Sequence, residues 1–270
     1  MRAAGYIGWA LDGWRGLVRA DVPIAPDRVL AAAGDERGRR SRHARTQRVE
    51  VSGTVVYVKA YPSPGARRAW RAFRMGRALE LAGFRVPEAL VVGRRGGEGV
   101  LVTGEVAAPS LLEAITAAPA GSAHPQRKRR LLEALGTQVA HLHGAGFVHG
   151  DLVPSNLLAC GDTLVFLDHD RTRRSPLLVW WGARRNLLQL GRFVVPGLTL
   201  SDRMRVLRAY SGARQLGPGA RKRLARWLVS ATIARRCRID HVPPVEAQRA
   251  GFREVMRSGG PFDPVRGAGG

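Results

Sequence analysis

The pattern of apolar and polar positions changes character near residue 105. Before it, short β-rich runs dominate. Residues 49–60, VEVSGTVVYVKA, place Ser52-Gly53 as a turn between two such runs. The second, TVVYVKA, is β-branched and aromatic, as a strand requires. Upstream, Gly34–Gln47 is polar and basic and reads as a loop leading into a strand. Ser63-Pro64-Gly65 breaks the chain, and Ala66–Ala82 follows at helical spacing, with Trp70, Phe73, Arg77 and Leu81 on one side. Gly83 predicts the C-terminal cap, with Pro87 beyond it. A hairpin comes next: Ala89–Val92 and Val100–Thr103 flank the turn GRRGGEG.

After residue 105 the period becomes helical. The stretch Ala117–Pro125 is rich in Ala, Pro and Gly and reads as a loop. Leu132, Leu135, Val139 and Leu142 mark the buried face of a helix over Arg129–His143. Leu157–Ala159 and Leu164–Leu167 read as short strands around a Gly161-Asp162 turn. Beyond them Leu187, Leu190 and Phe193 share one face. Met204, Leu207 and Tyr210 with Ser211 continue it, and Leu224, Trp227, Leu228 and Ile233 form another. The expected architecture is α+β and two-lobed. A small β-rich lobe with one helix covers 1–104, and a larger, mainly helical lobe covers 105–257. A Gly/Pro-rich tail, 258–270, reads as disordered. A nucleotide fits the cleft between two such lobes.

Composition narrows the class. The chain has 270 residues, 45% of them hydrophobic, enough for a sizeable core. No apolar run approaches the ~18–20 residues that cross a bilayer. The N-terminus carries charge and glycine where a signal peptide needs an apolar centre. Cys160 and Cys237 make no disulfide framework and read as reduced residues of a cytoplasmic protein.

The net charge is +23, which favours phosphate-rich partners: nucleotides, phosphorylated sugars, anionic lipid or nucleic acid. Only three of the 44 basic residues are lysine, so the excess reads equally well as arginine bias in the gene. In such a chain a lysine marks a place where a planar guanidinium does not serve. Lys128 and Lys222 lie in basic clusters and read as solvated helix faces. Lys59 differs, because it ends an apolar strand.

The chemistry centres on residues 149–156, HGDLVPSN, which fit H-x-D-x-x-x-x-N. Such a loop presents a carboxylate, Asp151, to a substrate hydroxyl. Five residues on, it presents an amide oxygen, Asn156, to a metal. Twelve residues past Asn156, the strand TLVFL ends in Asp168-His169-Asp170-Arg171. Asp168 is placed there to complete a Mg²⁺ site with oxygen ligands. Asp170 is the competing candidate, or a salt-bridge partner of Arg171 or Arg173.

With these residues the chain resembles the protein-kinase-like fold. More narrowly, it resembles the lipopolysaccharide core kinases, which phosphorylate heptose or Kdo sugars of lipid A–core. The matching stretches are VYVKAYPSPGARRAW, LVTGEVAAPSLLEAI, AHLHGAGFVHGDLVPSNLLA, VFLDHDRTRR, RRNLLQLGRF and SDRMRVLRAY, within residues 45–215. The resemblance implies ATP and Mg²⁺ as cofactors. Asp151 would orient the acceptor hydroxyl and take its proton. Asn156 and Asp168 would hold Mg²⁺, Lys59 would bind ATP phosphates, and Glu105 with its neighbours would form the hinge at the adenine. His149 would brace the loop. The implied substrate is an anionic glycolipid or sugar at the cytoplasmic face of the inner membrane, with peripheral contact to that membrane.

The chain departs from the usual kinase pattern at several points. There is no G-x-G-x-x-G, and the corresponding loop near Arg39–Gln47 is basic instead. Glu80 is the sole acid of the first helix and sits late in it, so it reads as a solvated charge before it reads as the partner of Lys59. No A-P-E segment is present. A kinase acting on a protein Ser/Thr or a small molecule, or a pseudokinase scaffold, therefore stands beside the sugar-kinase reading. A nucleic-acid binder is disfavoured, because no aromatic-basic platform or DNA-reading motif is visible. His141 and His143 are two apart on a helix and read as core and packing residues. Leu177–Trp181 reads first as core packing of the larger lobe and second as a membrane-interface contact. The Arg clusters 127–130, 221–226 and 235–238 read as solvated helix faces, or as holders of an anionic headgroup.

Overall fold

Three hairpins and two helices are described in the smaller of two units. The computed structural model describes residues 5–34, 38–41, 44–116, 124–177, 179–191 and 198–239. The expected tail, 258–270, and the side chain of Cys237 lie outside these. The chain divides into one unit of 1–107 with 166–172 and another of 108–165 with 173–270.

In the smaller unit, β1 (Tyr6–Leu11) and β2 (Trp14–Arg19) form a hairpin. Then come α1 (Pro26–Gly34), β3 (Arg39–Arg40), β4 (Arg45–Val51), β5 (Thr54–Tyr61), α2 (Ala66–Leu81), β6 (Ala89–Arg95) and β7 (Glu98–Gly104). The strands join one antiparallel sheet in the order β1-β2-β6-β7-β5-β4-β3. Ser52 and Gly53, both at positive φ, turn β4 into β5 as expected.

Both faces of the sheet are covered. Val56 and Val58 of β5 pack with Val29 of α1, and Tyr61 packs with Ala69, Ala72 and Phe73 of α2. Among the described residues the small lobe thus carries two helices rather than the expected one. α1 escaped notice because nine residues burying only Val29 give no readable period. Strand β4 also starts inside the stretch expected as a loop. Cross-strand bonding to β5 from Arg45 onward outweighs its polar composition. The β6–β7 hairpin extends to Arg95 and Glu98, which leaves only Gly96-Gly97 as its turn.

Helix α2 keeps its expected span and part of its expected face, with Phe73 buried and Trp70 packed against the same cluster. Ala69, Ala72, Phe73, Gly76 and Leu79 are buried, while Leu81 is 79% exposed. Ala69, Ala72 and Gly76 let the helix lie close to the sheet, and Phe73 and Leu79 fill the space beside them. Its end is a Schellman arrangement. The N–H of Phe84 donates to Leu79 O, that of Gly83 donates to Glu80 O, and Gly83 has φ +84°.

The larger unit holds α3 (Leu111–Thr116), α4 (His124–Gly144), β8 (Phe147–Val148), β9 (Leu157–Cys160), β10 (Thr163–Phe166), β11 (Arg173–Arg174), α5 (Val179–Gly191), α6 (Leu200–Ala213) and α7 (Pro218–Ile239). The last residue of β10, Phe166, belongs to the smaller unit. Leu132, Leu135, Val139 and Leu142 are all buried on α4, as their spacing predicts. Of the expected α6 face, Leu207, Tyr210 and Ser211 are buried and Met204 is 41% exposed. Phe193 lies outside the described residues. Lys128 is not a solvated helix charge: its Nζ lies 2.6 Å from Asp202 Oδ2, with both side chains largely buried. Asp202 also closes a capping box with Thr199 at the start of α6.

Candidate active site

Lys59 sits near the end of β5, paired with Thr46 of β4 and Leu101 of β7. Being two residues apart on a strand, Lys59 and Tyr61 project to the same face. There they meet segment 166–172, which the sequence assigned to the larger lobe and which packs with the smaller unit. The N–H of Phe166 donates to Arg85 O, and Phe166 stacks edge-on against Phe84. These contacts carry Asp168 and Asp170 to Lys59. Its Nζ donates to Asp168 Oδ1 at 2.8 Å and to Asp170 Oδ2 at 3.0 Å. Tyr61 Oη donates to the other oxygen of Asp170 at 2.6 Å.

Asp168 adopts φ 59°, ψ 72°, a left-handed conformation that a non-glycine residue holds at a cost of roughly 1 kcal/mol or more. Asp170 is the partner of Lys59 and Tyr61, not of Arg171 or Arg173.

The electrostatics of this group follow from two carboxylates sharing one ammonium. Burial lowers the Lys59 pKa, but Asp170 and Asp168 outweigh it and hold the group above its ordinary value. Asp170 is raised by burial, and the charge of Asp168 adds to that, against the opposing pull of Lys59. Tyr61 is raised well above its ordinary value by burial and then by Asp170. The cluster has a net negative charge and oxygen donors only, the environment that suits a hard divalent cation.

Glu80 does not reach Lys59. Its carboxylate is bound by Arg77, three residues earlier on α2. Glu105, just past β7, is also engaged: Arg48 Nε and Nη2 donate to its two carboxylate oxygens at 2.6 and 3.0 Å. The salt bridge lowers the Glu105 pKa.

In the larger unit, Asp151 and Asn156 occupy one loop that ends in a 3-10 turn, Pro154–Asn156. Asn156 Nδ2 donates to Asp151 O at 3.0 Å and lies 3.5 Å from Asp151 Oδ2. With the amide nitrogen of Asn156 turned to Asp151, its Oδ1, an acceptor with two lone pairs, lies on the other side of the amide.

Two side chains of α5 hold this loop. Asn186 Oδ1 accepts the His149 N–H at 3.0 Å, and Asn186 Nδ2 donates to Gln189 Oε1 at 2.9 Å. Gln189 Oε1 also accepts the Leu152 N–H, while its Nε2 donates to Gly150 O. Backbone groups fix the orientation of both amides. They also fix His143, whose Nε2 lies 3.2 Å from Asn186 Oδ1 and so carries the proton. Its Nδ1 then accepts from Tyr210 Oη at 3.1 Å. Burial lowers the His143 pKa to about 4. His141, on the other side of α4, is exposed.

Spacing alone did not assign roles to Asn186, Gln189 or Tyr61. The available signals were thin. Asn186 is one of only two asparagines in the chain, and Tyr61 shares the strand face of Lys59.

The family model described as lipopolysaccharide kinase (Kdo/WaaP) family matches residues 31–210. The chain belongs to that family. A curated relative, the lipopolysaccharide core heptose(I) kinase WaaP of Pseudomonas aeruginosa, is 29% identical over 199 residues, covering 62% of this chain and 73% of the relative. The solved structure of WaaP in complex with acyl carrier protein aligns with TM-score 0.60 at 26% identity, covering 77% of this chain and 91% of that one. An aminoglycoside-3'-phosphotransferase of type VIII aligns with TM-score 0.55 at 15% identity, covering 75% and 96%. The last likeness establishes the protein-kinase-like fold. This member of the Kdo/WaaP family is accordingly a kinase, of the sugar-phosphorylating kind.

Proposed function

We propose that this kinase transfers the γ-phosphoryl group of ATP, with Mg²⁺, to a hydroxyl of a heptose or Kdo residue in a lipid A–core glycolipid. The observation that carries this reading is the Lys59–Asp168–Asp170 cluster, an ammonium held against two carboxylates at the end of a strand. Bound nucleotide phosphates would draw Lys59 from its carboxylates, leaving those oxygens to a cation. Mg²⁺ when bound supplies neutralisation of charge on the phosphates. Asp168 and Asn156 Oδ1 are the chain's ligands for it.

Among the described residues no group of three or more His, Cys, Asp or Glu forms a ready metal site. Mg²⁺ keeps waters and substrate phosphates as partners rather than needing an all-protein cage. Asp151 orients the acceptor hydroxyl and takes its proton. The backbone around Glu105 forms the hinge at the adenine, with the Glu105 carboxylate held away by Arg48.

A cytoplasmic location with peripheral membrane contact belongs to the same reading. Among the described residues no helix is long and apolar enough to cross a membrane. Leu177, Trp180 and Trp181, read from sequence first as core, are 94%, 50% and 71% exposed. Trp180 stacks on the Arg184 guanidinium, and Arg173 and Arg174 are exposed nearby in sequence. Tryptophan beside arginine suits the headgroup layer of an anionic leaflet.

The test is transfer of labelled phosphate from ATP to purified lipid A–core, with and without EDTA, by wild type and Asp151→Asn. Metal-dependent labelling of the sugar, reduced about a hundredfold or more by the substitution, is the expected result. Labelling of protein in place of the glycolipid would overturn the sugar assignment.

A further inference from the structure

Three side chains are linked in series at the end of β5. Tyr61 Oη donates to one oxygen of Asp170 at 2.6 Å, and Lys59 Nζ donates to the other at 3.0 Å. Contacts on both oxygens fix the orientation of the carboxylate. The tyrosine is a rigid post for it. Tyr61 is 1% exposed and packs with Ala69, Ala72 and Phe73 of α2. Its strand is paired on both sides, Ala60 with Arg45 of β4 and Tyr61 with Gly99 of β7. Asp170 is anchored from the other side. It belongs to the 3-10 turn His169–Arg171, whose buried His169 lies over Gly76 of α2. A Cβ added at Gly76 would sit 3.6 Å from that ring.

The two aspartates of the cluster differ in access. The side chain of Asp168 is 40% exposed, whereas those of Asp170 and Lys59 are 17% and 19% exposed. A phosphate or a cation arriving from solvent meets Asp168 first. An ammonium has three N–H donors. One of them can pass from Asp168 to a phosphate oxygen while another stays on Asp170. Stability gives little reason for burying the trio, because desolvating an ion pair costs about as much as its attraction returns. Glu80 of α2 does not supply the anchor either, since Arg77 binds it.

We propose that Tyr61 and Asp170 are positioning residues for Lys59. The tyrosine hydroxyl orients Asp170, and Asp170 keeps the ammonium aimed at the nucleotide phosphates once Asp168 is given over to the cation. This rests on the kinase reading above and narrows it, because only Asp168 then yields Lys59.

The test is calorimetry of ATP binding to the whole chain, with Mg²⁺ and with EDTA. Wild type is compared with Tyr61→Phe, Asp170→Asn and Lys59→Ala, and with each of the first two combined with Lys59→Ala. Thermal unfolding checks that every variant is folded. Asp170→Asn should weaken ATP about tenfold and Tyr61→Phe about threefold, by the same factors with and without Mg²⁺. In the Lys59→Ala background neither should weaken ATP further, since both act through the lysine. In phosphate transfer to lipid A–core, Tyr61→Phe should raise the KM for ATP and leave that for the acceptor unchanged. A loss confined to the Mg²⁺ titrations would make Asp170 a metal ligand and overturn the proposal. ATP binding by Asp170→Asn as tight as wild type or tighter would also overturn it, because Asp170 would then only compete with phosphate for Lys59. Full additivity with Lys59→Ala, or a rise in both KM values, would mark a structural effect and do the same. If wild type itself binds no ATP, the kinase reading of the site falls and the proposal with it, an outcome distinct from every comparison among variants.

Discussion

The ammonium of Lys59 lies 2.8 Å from Asp168 Oδ1, so the lysine and the carboxylate assigned to metal binding are each other's partners. The only glutamate of the neighbouring helix α2, Glu80, is held by Arg77 instead. Glu80→Ala should therefore leave ATP turnover within about twofold of wild type, while Lys59→Ala should reduce it about a hundredfold or more. Steady-state kinetics on the two variants decide the matter. Equal losses would mean that Glu80 takes over Lys59 during turnover.

Asp168 is both a Lys59 partner and a proposed metal ligand. Asp168→Ala should abolish the Mg²⁺ dependence of ATP binding while leaving some metal-free binding through Lys59. Calorimetry with and without Mg²⁺ reads this directly. Unchanged Mg²⁺ dependence would move the metal role to Asp170.

Asn186 satisfies a buried backbone N–H of the Asp151 loop and positions Gln189, which holds two further backbone groups. Removing a buried hydrogen-bond partner costs roughly 1–3 kcal/mol. Asn186→Leu should lower stability by about that amount and reduce kcat more than it changes KM for ATP. Chemical denaturation and kinetics together check both parts. An equal loss in KM would show that the effect is not confined to the loop.

His143 makes stability depend on pH. Its folded pKa, lowered to about 4 by burial, lies below the ordinary value of 6.5. The unfolded chain therefore binds a proton that the folded chain refuses. Its contribution is complete above pH 6.5 and falls away between 6.5 and 4, by up to roughly 3 kcal/mol. His143→Gln should flatten that part of the pH–stability curve measured by denaturant titration. A curve of unchanged slope would place the acid sensitivity elsewhere.

Gly136 on α4 is a close-packing residue. A Cβ there would fall inside contact distance of Val206 O and 2.8 Å from Ala209 Cβ, both on α6. Gly136→Ala should destabilise the protein by about 2 kcal/mol, despite alanine's better helix propensity of about 1 kcal/mol. A melting temperature equal to or above wild type would show that α4 and α6 separate readily.

Much of the scaffold was legible as pattern. The Ser52-Gly53 hairpin, the span of α2 and the buried stripe of α4 depend on local periodicity and turn chemistry, which neighbouring residues carry by themselves. The loop with Asp151 and Asn156 was equally legible, because both groups serve one short segment at fixed spacing. Pairings across long sequence separations were not. Nothing local says that Lys59 meets Asp168 and Asp170 more than a hundred residues away, or that Lys128 is buried against Asp202. Composition also misled at Leu177–Trp181, where apolar residues predicted a core and the fold left three of them exposed. Burial and charge pairing depend on which surfaces the whole chain brings together. Hydrophobic periodicity is set residue by residue, but the partner of a charge is chosen only when distant segments pack.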